Sequence, residues 1–101
     1  MPPAPTLEWH PKARADLLVL IAYIAADNPD AAQALKDEIE AKAEALPKHP
    51  RLYRPGRVKG TREMVVRPNY LVVYREQPGS IIVLRVLHAA KQWPQGQASS
   101  I

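Results

Sequence analysis

The chain has 101 residues, enough for one modest core, and its 47% hydrophobic and 24% charged residues are the balance of a soluble globular domain. With no cysteine, disulfides, thiol catalysis and cysteine-held zinc are excluded. The formal net charge of +4 hides a division, since residues 1–50 carry five Lys/Arg against eight Asp/Glu and residues 51–101 carry nine against two. So basic a half points to nucleic acid or an acidic protein segment as partner, unless it is only a solvated surface.

In chain order, Thr6–Trp9 (TLEW) alternates as a short first strand does. Pro11 suits the first turn of a helix, and Leu17, Ile21 and Ile24 mark a stripe that Leu18 and Leu20 widen into a broad buried face. His10 stands at the N-cap, where imidazole is expected to cap less well than Ser or Asp. The run LLVLIAYIAA (17–26) could pass for a secretory hydrophobic region, but Asp16 directly before it argues against export, and it is too short to span a bilayer. Together with the missing cysteine, this points to a cytoplasmic protein with no membrane role. After Asp27, Asn28 is a good N-cap with Pro29 and Asp30 behind it. A second helix follows, with Leu35, Ile39, Ala43 and Leu46 inward and Glu38 four residues before Lys42 outside. So short a connection makes an αα-hairpin.

Residues 47–60 read as loop, with Pro47, Pro50, Pro55, Gly56 and Gly60 at close intervals. Three strands are then expected at 61–66, 70–76 and 81–87, joined by RPNY and by QPGS, whose Pro78–Gly79 pair matches a type II turn. The last two strands are apolar on both faces, so at least one is central. The sum is an α+β fold in the order β-α-α-β-β-β, a helical hairpin packed on an antiparallel sheet. It forms a single domain over 1–94, with residues 95–101 as a disordered tail.

The element order resembles the RelE/ParE superfamily of bacterial toxins from type II toxin–antitoxin systems. The strings HPRLYRPGRVKGTREMVVRPNYLVVYRE (49–76), VLRVLHAAKQWP (83–94) and WHPKARADLLVLIAYI (9–24) carry the likeness. The resemblance implies that fold, a cognate antitoxin with an acidic amphipathic segment (ParD-like or related), and one of two activities. RelE-like members cleave mRNA on the ribosome; ParE-like members bind and poison DNA gyrase. RNA cleavage through the 2′-OH needs a base, a cationic brace for the phosphorane and an acid. Laid over this chain, the nuclease pattern puts its strand arginine on Leu71, its two lysines on Glu63 and Val65, its late arginine on Ala89 or Ala90, and its tyrosine on Trp93. Nearly every catalytic role is vacant, and the likeness leans to the ParE branch.

His88 is the one nuclease candidate left; its other reading is a half-buried histidine at the strand end. An inert relative is the third possibility. For a gyrase-binding protein the expected contact residues are Arg62, Arg67, Arg75, Arg85, Lys91 and Trp93. The four strand arginines either cluster as a positive concavity or guard sheet edges. Trp93 either anchors a partner or folds over the core. Strand alternation puts Arg67 on the face of Glu63 and Val65, Arg75 on that of Leu71 and Val73, and Arg85 on that of Ile81 and Val83. Tyr70 and Tyr74 share a face and belong to the core. No His/Asp/Glu spacing resembles a metal site, and no cofactor is expected.

Overall fold

Thr6–Trp9 forms strand β1 in the computed structural model, which describes residues 5–88. Helices α1 (Pro11–Ala25) and α2 (Pro29–Glu44) follow, then a 3-10 turn at Leu46–Lys48 and strands β2 (Arg54–Pro55), β3 (Arg62–Arg67), β4 (Tyr70–Gln77) and β5 (Ser80–His88). Both helices start on a side-chain cap. Asn28 Oδ1 accepts from Ala31 N at 3.0 Å, and His10 Nδ1 accepts from Lys12 N at 3.0 Å. The imidazole therefore does cap, with its proton left for Nε2.

The sheet order is β1-β5-β4-β3-β2. The two long apolar strands, β4 and β5, lie inside it, as their two-faced hydrophobicity requires. The expectation of a wholly antiparallel sheet needs correction: β1 pairs with β5 in parallel, with Leu7 beside Ile81 and Trp9 beside Val83. The sheet is mixed, because β1 enters beside the chain's last described strand and not beside its neighbours in sequence. A second addition is β2, two residues inside the expected loop. It ends the sheet, and Pro55 is tolerated there because an edge strand need not donate outward. The Pro78–Gly79 turn forms as expected, with Gly79 at φ +76° where a type II turn needs it.

The core lies between the helices and one sheet face. Ala13, Leu17, Leu35 and Ile39 meet Met64, Val72, Tyr74, Ile81 and Val83, with Trp9, Ile21 and Ile24 at the margin. Leu18 does not widen this stripe; it is 69% exposed. Small Ala13 is fully buried instead, letting α1 approach β5. Tyr74 Oη donates to Pro50 O at 2.8 Å, and its ring meets that of Tyr53 edge to face. On the opposite sheet face Leu71, Val73 and Leu87 form a second, smaller buried group.

Two β-bulges break the alternation. In β3 the register slips between Val65 and Arg67, and in β5 Val83 pairs with Tyr74 while Arg85 pairs with Val73, leaving Leu84 extra. Each bulge shifts the residues after it to the other face.

Candidate functional site

Glu63 organises one side of the molecule. It projects from β3 on the face away from the helices, is 2% exposed, and would be costly to bury alone. Arg54 Nη2 donates to its Oε1 at 3.2 Å, Arg57 N donates to Oε2 at 3.1 Å, and the Arg57 guanidinium lies 3.5 Å away. The loop between β2 and β3 is built to deliver these groups. Gly56 N donates to Thr61 O at 2.7 Å, Thr61 N and Oγ1 donate to Val58 O, and a Cβ at Gly56 would collide with the Thr61 hydroxyl. Gly60, at φ +85°, closes the turn.

Strand register completes this surface. Arg54 stands opposite Glu63 and Glu63 opposite Val73. Arg75, two residues along β4, therefore rises on the same face about 7 Å from Val73. It is exposed and, among the described residues, makes no ion pair.

The four strand arginines, for which a positive concavity was one of two readings, are not brought together. Arg62 Nη1 donates to Tyr53 O at 2.8 Å. The bulge at Val66 turns Arg67 away from the face of Glu63 and Val65; it stands opposite Tyr70 and its Nε bonds Glu38 of α2 at 2.8 Å. The bulge at Leu84 likewise removes Arg85 from the face of Ile81 and Val83. Its Nε and Nη2 bond Asp16 of α1 at 2.7 and 3.1 Å, and that hydrogen bonding holds the guanidinium's pKa up. Only Arg75 stays on the face that alternation gives it and reaches solvent; its companions are Arg54 and Arg57. Lys91 and Trp93 lie outside the described residues, as does the expected tail.

A second surface flanks the open edge of β5. Since β1 ends at Trp9, no strand lies beside residues 84–88 on that edge among the described residues. Asp16 Oδ2 fills one position by accepting Val86 N at 3.0 Å. Between α1 and this edge runs a groove of about 760 Å³, lined by Val19, Leu20, Tyr23, Tyr70, Val86 and His88, with Asp16 and Arg85 beside them. Val19 and Tyr23 are 71% and 79% exposed. His88 is exposed, its ring meeting Tyr70 edge to face at 5.4 Å. The groove was missed in sequence because the stripe of α1 is marked by Leu17, Leu18, Leu20, Ile21 and Ile24, and Val19 and Tyr23, one turn apart, fall outside it.

Among the described residues no three His, Asp or Glu side chains converge to hold a metal ion, and no helix is long and apolar enough to cross a membrane.

Residues 7–93 match the family described as the ParE toxin of the type II toxin–antitoxin system parDE. The Sinorhizobium fredii protein Y4kP, named as a candidate toxin, is 39% identical over 90 residues, covering 88% of this chain and 93% of that one. Toxin RelE2 of Caulobacter vibrioides is 32% identical over 83 residues, covering 82% and 93%. Among solved structures, the chromosomal ParDE toxin–antitoxin system of P. aeruginosa superposes with a TM-score of 0.78 at 22% identity, over 84% of this chain and 96% of that one.

Proposed function

Because the chain belongs to the ParE toxin family of type II toxin–antitoxin systems, we propose that it arrests growth by gripping DNA gyrase rather than by cutting RNA, and that a cognate antitoxin covers it. The observation that carries this reading is what fills the positions where the nuclease pattern needs polar groups. Leu71 is 2% exposed within the small apolar group of its sheet face, Val65 is apolar, and Glu63 is committed to Arg54 and Arg57. A buried carboxylate already neutralised by two arginines braces no phosphate. Recognition needs none of these groups; it needs a rigid surface with exposed charged contacts, such as Arg54, Arg57 and Arg75 offer on the side away from the helices.

The antitoxin reading draws on the α1–β5 groove. Its apolar wall and a β5 edge with no strand beside it among the described residues suit a segment that folds on binding, adding backbone hydrogen bonds to β5 and side chains between Val19 and Tyr23. An acidic, ParD-like segment would be steered there by the basic C-terminal half.

The deciding experiment offers purified protein to gyrase with supercoiled plasmid, and in parallel to ribosomes translating a defined message. Accumulation of gyrase-cleaved DNA with the message intact is expected, and His88→Ala should poison gyrase as the parent does. Catalytic cutting of the message, lost in His88→Ala, would overturn the gyrase reading in favour of a nuclease.

A further inference from the structure

The segment from Arg51 to Arg62 carries Arg51, Arg54, Arg57, Lys59 and Arg62 and no acidic residue. We propose that the face formed by Arg54, Arg57 and Arg75, together with Lys59 of the loop between β2 and β3, binds the phosphate backbone of duplex DNA without reading its sequence.

Three observations carry this. The first is preorganisation. Glu63 and the Gly56–Thr61 contacts hold Arg54 and Arg57 in place while leaving their side chains 59% and 44% exposed. Arg75 and Lys59 are exposed, and neither has an ion pair among the described residues. One buried carboxylate thus fixes two guanidiniums and leaves the surface with a large cationic excess.

The second concerns the alternative of an acidic protein. Protein interfaces rest on apolar or aromatic anchors seated in pockets. Around this cluster Val73 is fully buried and Val58 half-buried, while the exposed apolar side chains, Leu52 in the loop and Val65 two residues along β3 from Glu63, are aliphatic and not aromatic anchors. Charge without a hydrophobic centre suits a polyphosphate. The third separates duplex from single strand. Single-stranded nucleic acid is held by stacking bases on exposed rings, but Tyr53, the loop's aromatic residue, is half-buried with its ring against Tyr74. A rigid arginine ridge with no stacking platform among the described residues fits an intact double helix.

This inference stands apart from the gyrase reading. A protein that bound duplex but left gyrase untouched would sink that reading and keep this one.

The test is fluorescence anisotropy with a labelled mixed-sequence duplex of about 20 base pairs, at about 50 and 200 mM salt. Four phosphate contacts predict a roughly 100-fold loss of affinity between the two salt concentrations. The double variant Lys59→Ala/Arg75→Ala, which removes no ion pair and so keeps the fold (checked by circular dichroism), should bind more weakly and lose only roughly 10-fold over the same interval. Tyr23→Ala, in the groove, should match the parent. No binding at the lower salt, or equal binding by the double variant, would overturn the proposal. So would tighter binding of a single-stranded RNA of the same length, or comparable binding of a polyglutamate peptide.

Discussion

At the scale of single residues, Tyr74 shows how burial becomes a pH dependence. Its hydroxyl is sealed in the core, and loss of water pushes its pKa from 10.0 up to about 12, with the nearby Arg62 charge pulling partly the other way. A phenol whose folded pKa is raised stabilises the fold fully below pH 10. That contribution, about 3 kcal/mol for a shift of two units, is lost as pH rises through 12. Denaturant midpoints measured from pH 8 to about 12 should therefore fall steeply above 10. Tyr74→Phe should be less stable at pH 8, having lost the bond to Pro50, yet flatter in alkali. An equally steep fall in the variant would place the alkaline sensitivity elsewhere. Glu63 teaches a different lesson at the same scale. Its position on a nuclease pattern was legible from sequence, but its partners were not, because Arg54 and Arg57 reach it only once the Gly56–Thr61 loop has closed.

Element by element, four of the five strands were legible nearly to the residue, but β2 was read as loop and the faces were not legible. Alternation finds Thr6–Trp9 and the three later strands, and Asn28-Pro29 marks the start of α2. An inserted residue keeps each local apolar run intact while reversing the facing of every residue beyond it. The bulges at Val66 and Leu84 therefore left no trace in a period-two reading and misplaced Arg67 and Arg85. Likewise the helical stripe of α1 was visible, but the exposure of Leu18 depends on where α2 and β5 lie. The pairing of β1 with β5, 74 positions apart in the register Thr6↔Ser80, is a long-range choice with no local mark. Asp16 joins α1 to β5 through three accepted hydrogen bonds, two from Arg85 and one from Val86 N. Its side chain and that of Arg85 are 18% and 13% exposed, so solvent screens them little. Asp16→Ala should cost about 2–3 kcal/mol and, by uncovering Val86 N on the open edge, promote concentration-dependent self-association. Chemical denaturation and light scattering measure the two effects. A stable, monomeric variant would show that the carboxylate guards nothing.

For the whole molecule, the basic face around Glu63 and the groove beside α1 draw on different side chains, those of β2, β3, their loop and Arg75 for one, and those of α1, Tyr70 and the end of β5 for the other. The two should be separable by mutation. Val19→Asp/Tyr23→Asp touches only exposed groove residues and should weaken capture by a co-expressed antitoxin by roughly 100-fold, about 3 kcal/mol, without loss of toxicity. Co-purification and growth curves test this; loss of toxicity with antitoxin binding intact would reverse the two assignments. The overall layout was open to sequence reasoning because helix pair, loop and strands each carry local patterns. Which surfaces remain uncovered was not, since that depends on how the layers meet.

Leu84 has an effect out of proportion to its size. Had β5 kept strict alternation through Leu84 with no bulge, His88 would have followed Ile82 onto the side of the sheet where Arg54, Arg57 and Arg75 stand. Instead the ring lies with Val86 and Tyr70 on the side toward the helices. The imidazole of His88 and the guanidiniums of Arg54, Arg57 and Arg75 are thus kept on opposite surfaces of one layer by a single irregularity in β5.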